Sequence, residues 1–429
     1  MTSESEKIVP AGRRVPLLRI LGPGLITGAS DDDPSGIATY SQAGAQFGYR
    51  LCWTLLIAFP LMAAIQEISA RIGRVTGLGI AGNIRRHYPR WLLYPLVGLV
   101  LTANTINLGA DIGAMGAGVR LLIGGPVFLY IAAFGVASVL LEIFMRYSRY
   151  VSVLKWMSLS LLAYAATAFI VHVPWGQVAF YAVVPHIDWS SDYLVTVVAV
   201  FGTTISPYLF FWQAETEVED QQERPGAEPL NEAPEQAPEE IRRIEIDTYI
   251  GMGVSNIVAL FIVVTTAATL NLHGITNVQT SAQAAEALKP LAGDFAFVVF
   301  AAGIIGTGLL ALPVLAGSAA YALGEALQWP VGLARRWYQA RAFYATIAIA
   351  TALGVAMNYL PIDPIKALFW SAVINGVAAV PIMTIMMLVA TRSDVMGRFT
   401  LPPALRWLGW IATIVMTLAA LAMIASWLA

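Results

Sequence analysis

Cysteine, histidine and charge are all scarce in this chain of 429 residues. One cysteine, Cys52, excludes a disulfide framework and any CxxC redox or metal motif. The four histidines, His87, His172, His186 and His273, include no HExxH pair, so zinc chemistry of that kind is not expected. Only 12% of the residues are charged, the net charge is −2, and no basic stretch is dense enough to hold nucleic acid. No nucleophile, base and orienting group can be assembled from motifs, so the chain is read as no enzyme, with no cofactor and no obligatory protein partner. What is present is apolar: 58% hydrophobic residues and a mean hydropathy of +0.68. That lies far outside soluble composition and implies a chain that spans a lipid bilayer many times.

A spanning helix needs about 20 mostly apolar residues. The stretches 17–47, 51–73, 92–121, 126–145, 151–173, 193–217, 247–271, 294–326, 342–360, 366–390 and 404–428 approach that, which predicts eleven spans. With residues 1–14 as a cytoplasmic tail, the inward segments collect 21 Lys and Arg and the outward ones only Arg50, Arg120, Lys289 and Lys366. This asymmetry predicts a multi-pass protein of the plasma (inner) membrane, N-terminus inside and C-terminus outside. Trp175, Trp189, Trp329 and Trp370 fall near span ends, where aromatic belts form. The stretch 215–247 carries twelve acids against Arg224, Arg242 and Arg243, with four prolines. By composition it reads as a disordered cytoplasmic loop.

Two spans are interrupted. Span 1 contains Gly28-Ala29-Ser30-Asp31-Asp32-Asp33-Pro34-Ser35-Gly36, three acids in a row where a charge costs roughly 3 kcal/mol or more. Span 6 contains Phe201-Gly202-Thr203-Thr204-Ile205-Ser206-Pro207-Tyr208. Proline frees the carbonyl four residues before it, here those of Ser30 and Thr203, and such carbonyls survive at membrane depth only where protein, water or an ion satisfies them. The breaks lie five spans apart, so 15–173 and 174–390 form two repeats of opposite orientation, with 391–429 as an eleventh helix. This pattern predicts an all-α transporter with an inverted repeat of five plus five helices and its site at the midplane. Asp33, Ser35, Thr203, Thr204 and Ser206 surround that site with oxygen, which suits hard divalent cations. Asp31 and Asp32 are expected either to line the approach or to pair with neighbours. Gln66, Glu67, Asn104, Asn107, Glu142 and Asn375 are assigned mainly to helix-to-helix hydrogen bonding.

The runs Gly22-Pro23-Gly24, Asp33-Pro34-Ser35-Gly36 and Gln42-Ala43-Gly44-Ala45-Gln46-Phe47-Gly48-Tyr49, with Thr203 to Tyr208, resemble the NRAMP family of divalent metal-ion transporters. The resemblance implies the LeuT-type fold, with helices 1 and 6 discontinuous. In that family Asp-Pro-Gly-Asn and Ala-x-x-Met-Pro-His hold the metal through Asp, Asn, the Ala carbonyl and the Met sulfur. Here Asp33 keeps the carboxylate and Thr203 the carbonyl, while Gly36 stands for Asn and Ser206 for Met. Losing the thioether withdraws the preference for transition metals, and losing bulk implies a wider site suited to hydrated Mg²⁺. The family's proton route is also thinned: Asp111 is kept, but Ala114, Tyr208 and Gln213 stand where titratable groups are expected.

These departures resemble the NRAMP-related magnesium transporter branch. They imply import of Mg²⁺ and Mn²⁺ with weak or no proton coupling. Asp31, Asp32, Asp111, Tyr208 and Gln213 are the candidate pathway residues. Proton-coupled Mn²⁺ or Fe²⁺ transport and sodium-coupled transport of a small solute remain the alternatives.

Overall fold

Proline does not by itself break a helix in this protein. Pro60, Pro95, Pro313 and Pro381 lie inside continuous helices, whereas Pro34 and Pro207 each start a new helix. The difference is the residue before each: Asp33 (φ −68°, ψ 172°) and Ser206 (φ −86°, ψ 132°) are extended. That is the conformation a following proline favours, and both residues can serve as caps. The computed structural model describes residues 23–144 and 159–428, the side chains of Leu25 and Ile26 excepted. The predicted tail, the start of span 1 and the first part of span 5 lie outside the described residues.

Span 1 is the pair α1 (Pro23–Asp31) and α2 (Pro34–Phe47). A turn at Gly48, whose φ is +59°, leads to α3 (Cys52–Thr76), which is span 2. A short helix, α4 (Ile80–His87), precedes spans 3 and 4, α5 (Arg90–Ile123) and α6 (Val127–Phe144). Then α7 (Leu162–Ile170) and α8 (Trp175–Val183) meet at a sharp bend. Span 6 is α9 (Ser191–Thr204) and α10 (Pro207–Glu223), and span 7 is α11 (Ala237–Thr269). Spans 8 to 11 are α12 (Ala296–Leu327), α13 (Arg341–Met357), α14 (Pro364–Thr391) and α15 (Pro403–Leu428). Eight helices among the described residues are long and apolar enough to cross a membrane, with α2 to α3 and α9 to α10 each taken as one; α13 is shorter, and the α7–α8 pair is bent by 115°. The four tryptophans expected at the interfaces are all exposed.

The helices sort into two packed bodies. Spans 1, 2, 6 and 7 form one, with α11 against α1, α2 and α3, and α10 against α3; spans 3, 4, 8 and 9 form the other, with α5 against α6, α12 and α13. Close crossings are made by glycines: a Cβ on Gly109 would come 2.8 Å from the Gly354 carbonyl, and one on Gly202 would strike Ala372 and Gly376 backbone. Small residues let helices approach where lipid supplies no hydrophobic drive.

The expectation of a disordered loop at 215–247 is corrected. Helices enter it from both sides, and residues 224–236 between them are pinned to span 2. Leu230 and Asn231 donate their N–H groups to the carbonyls of Arg74 and Val75 at 3.2 Å. The buried Arg74 donates to the Glu228 carbonyl at 2.6 Å, Gln236 at 3.0 Å and Glu240 at 3.3 Å. Arg243 pairs with Glu217, and Arg71 bridges Glu67 and Glu245. Part of the acidic charge of this stretch, at Glu240 and Glu245, meets arginines from span 2. Removing one partner of a buried ionic cluster costs about 3–5 kcal/mol, and Arg224 and Arg243 still reach Glu240. Arg74→Ala is therefore expected to destabilise the protein by ~2 kcal/mol. Thermal unfolding in detergent and hydrogen exchange over 224–236 check this; unchanged exchange there would contradict it.

Candidate functional site

The two helix breaks face each other, and Asp33 stands between them. As the cap of α2, its Oδ1 accepts hydrogen bonds from the Ser35 hydroxyl at 2.6 Å and the Gly36 N–H at 2.8 Å. Its Oδ2 accepts from Asn107 Nδ2 on α5 at 2.9 Å and lies 3.3 Å from the Tyr208 hydroxyl on α10. Tyr208 also approaches the Ser30 carbonyl, one of the two that proline frees, at 3.4 Å. Three helices thus hold one carboxylate, which has no exposed surface.

The other predicted residues separate clearly. Thr203 turns its hydroxyl toward Gly36: a Cβ there would lie 3.3 Å from Thr203 Oγ1, 3.3 Å from the Tyr40 ring and 3.4 Å from the Asp31 carbonyl. The space opened by Gly36 is therefore filled by its neighbours, and the expectation of a wider site at this position is corrected. Ser206 donates to the Gly202 and Thr203 carbonyls at 2.7 and 2.8 Å. Its hydroxyl thus satisfies the carbonyl that Pro207 leaves open and keeps it beside the break. Thr204 bonds back to the Val200 and Phe201 carbonyls at 3.0 and 3.2 Å, so it is not brought to the site. Adjacent residues on a helix point about 100° apart, and Thr203 has the inward place.

Asp31 and Asp32 are buried rather than solvated. Ser255 of α11 lies 2.5 Å from Asp31 Oδ2 and 3.3 Å from Asp32 Oδ1. Asp111 receives Asn107 Nδ2 at 3.4 Å, and Asn375 of α14 donates to Asn107 Oδ1 at 3.3 Å. Asn107, assigned from the sequence to helix contacts, is the residue whose place at the site was missed. It joins Asp33 to Asp111, and its only signal is the four-residue spacing to Asp111 that places both on one helix face. Gln213 accepts Thr27 Oγ1 at 2.5 Å and lies 3.5 Å from Glu217, on the side away from the α2 cavity described below.

Asp31, Asp32, Asp33 and Asp111 are four buried carboxylates. Among the described residues their hydrogen-bond partners are all uncharged. Buried negative charge is tolerated only when paired, protonated or joined to a cation. Toward the Phe47 end a cavity of ≈ 410 Å³, lined by Gln42, Gln46, Asp192, Lys366 and Trp370, reaches down to Ala38, one turn past Pro34. At the opposite, Arg-rich end Arg71, Arg74 and Arg243 form ion pairs with Glu67, Glu240 and Glu217.

A family model described as natural resistance-associated macrophage protein-like matches residues 24–426, nearly the whole chain. The chain belongs to the Nramp family. This Nramp protein is 26% identical over 417 residues to the divalent metal cation transporter MntH of Klebsiella pneumoniae subsp. pneumoniae, covering 95% of this chain and 94% of the relative. Its structure superposes on the manganese transporter of Eremococcus coleocola with a TM-score of 0.72 at 18% identity, covering 97% and 89% of the two chains. Mhp1, a nucleobase-cation-symport-1 family transporter, matches with a TM-score of 0.55 at 14% identity, over 95% and 92%. The expected fold is borne out: an inverted repeat of five plus five helices of LeuT type, broken in spans 1 and 6, with one added helix.

Proposed function

We propose that this Nramp protein carries divalent metal ions, Mg²⁺ and Mn²⁺, into the cell by alternating access, with the Arg-rich end in the cytoplasm. The observation that carries this reading is a group of four buried carboxylates, Asp31, Asp32 and Asp33 at the span 1 break and Asp111 on the neighbouring α5, whose partners among the described residues are all uncharged. A divalent cation supplies the compensation they need. Asp33 is the proposed principal ligand, with the oxygens of Thr203, Ser35 and Ser206 beside it, and Asp31 and Asp32 adding attraction from α1. The four donors on Asp33 hold its carboxylate in place before the ion arrives, so little ordering remains when it binds.

The choice of Mg²⁺ with Mn²⁺ rests on donor chemistry. Every polar group named at the breaks offers oxygen, and Ser206 stands where the family has a thioether. Oxygen alone does not separate Mn²⁺ from Mg²⁺, whereas sulfur favours the softer ions. Weak proton coupling is proposed because Ala114, Tyr208 and Gln213 leave Asp111 as the one residue of that route that keeps an ordinary titrating group. A second reading, proton-coupled Mn²⁺ transport, is supported by the Asn107 link between Asp33 and Asp111.

Reconstitution into liposomes carrying Mg²⁺, Mn²⁺ and pH reporters tests the choice. The first reading expects Mg²⁺ entry, competition between the two metals and no accompanying acidification. Mn²⁺ entry with proton influx, untouched by excess Mg²⁺, would establish the second.

A further inference from the structure

Helix α10 carries carboxylates on opposite faces. Glu217 faces α11 and pairs with Arg243. Glu215 and Glu219 face the other body. Glu219 is supplied by the Tyr321 hydroxyl at 2.6 Å and the Leu333 N–H at 2.7 Å. Glu215 is 2% exposed, and its Oε1 accepts no hydrogen bond from any donor among the described residues. Its carboxyl group instead stands beside that of Glu325 on α12. Glu325 in turn spans the first turn of α4, with Oε1 accepting the Gly79 N–H and Oε2 the Gly82 N–H, each at 2.7 Å. The two carboxyl groups converge over Gly79, where a Cβ would overlap Glu215 and come 2.7 Å from Glu325 Oε2.

Two ionised carboxylates in contact, Glu215 buried and Glu325 half-buried, repel strongly, and such a pair keeps one proton between them. The N–H donors and dipole of α4 favour charge on Glu325, which leaves the proton to Glu215. The other charged or titratable groups facing the pair are Glu219 on α10, Tyr321 on α12, Arg85 on α4 and Arg335 in the 328–340 segment. Arg85 bonds the Ala326 carbonyl, and Arg335 lies beside Gly332 near Glu219. None of them forms an ion pair with Glu215 or Glu325 among the described residues.

The location gives the pair its meaning. α10 packs on α1 and α3 of one body, α12 belongs to the other, and α4 links spans 2 and 3. We propose that Glu215 and Glu325 share one proton and form a latch on the inner side, holding the inner half of span 6 against span 8 and α4. Loss of that proton to the cytoplasm leaves two anions in contact and releases the inner side to open. The proposal rests on the alternating-access reading and its orientation. The latch proton regulates opening and is not carried across with the metal.

The test uses the full chain in lipid nanodiscs, with Cys52→Ser and spin labels on the exposed sites Arg86→Cys in α4 and Gln222→Cys in α10. The expected result is a lengthening of the inter-label distance distribution as pH rises from acid to alkaline. Glu215→Gln, which keeps a neutral hydrogen-bonding partner for Glu325, should abolish that shift and hold the short distance throughout. Glu215→Ala should show the long distance even at acid pH. An identical pH response in Glu215→Gln and the parent, or no response in the parent, overturns the latch. Closure by added Mg²⁺ at fixed alkaline pH would also overturn it, because the pair would then hold a cation. Distances are read without metal flux, so failure of transport in liposomes would sink the functional reading while leaving the latch result distinct.

Discussion

Asp33→Ala is expected to reduce both Mg²⁺ and Mn²⁺ flux by about 100-fold or more, since removing one partner of a buried ionic contact costs about 3–5 kcal/mol. Alanine also removes the cap of α2, worth ~1 kcal/mol, so a loss of activity alone would mix two effects. Asp33→Asn separates them. Asparagine caps a helix as well as aspartate does, and its amide oxygen can still accept the Ser35 and Gly36 donors. The amide NH2 then faces the Asn107 donor, so the expected outcome is a kept helix cap with a small loss of thermal stability, and flux nearly as low as in Asp33→Ala. If Asp33→Asn transports normally, the carboxylate serves the fold and the ion is held elsewhere.

The second large effect is expected at Ser206. In Ser206→Met the hydroxyl that occupies the Thr203 and Gly202 carbonyls is lost, and a thioether takes its place beside Asp33. Both changes favour Mn²⁺: a carbonyl becomes available, and a soft donor enters an all-oxygen site. Competition assays should show Mg²⁺ losing most of its ability to inhibit Mn²⁺ uptake. Unaltered competition would show that selectivity is not set at this position. Gly36→Asn, the other substitution toward the family pattern, is expected to be weaker and less stable. Its Cβ would stand 3.3 Å from both Thr203 Oγ1 and the Tyr40 ring, so those side chains must move before the amide can reach an ion.

The parts of this fold legible in the sequence were those written locally. A proline after a short run of polar residues marks a break, and Asp33-Pro34 and Ser206-Pro207 were found that way. The same local rule could not distinguish Thr203 from Thr204, because which of two neighbours faces the gap depends on where the facing helix passes. Asn107 was assigned to helix contacts because amides in apolar spans are commonly used so, and its bond to Asp33 joins residues 74 positions apart. The acidic stretch 215–247 misled for a related reason. Its acids are balanced in part by Arg71 and Arg74 on span 2, and composition along a segment does not register charge brought from another helix.

Glu215 and Glu325 illustrate the same limit. Nothing in the chain sets apart an acid at each position, 110 residues from one another. Only the convergence of α10, α12 and α4 over Gly79 makes them a pair.

The central claim is that a hard divalent cation binds between the two breaks on Asp33. Anomalous scattering from crystals of the full chain soaked in Mn²⁺ tests it most directly. The account predicts a peak between Asp33 and Thr203, lost in Asp33→Asn and displaced by excess Mg²⁺. A peak confined to the Asp31, Asp32 and Ser255 side of α1, or one that survives in Asp33→Asn, would contradict it.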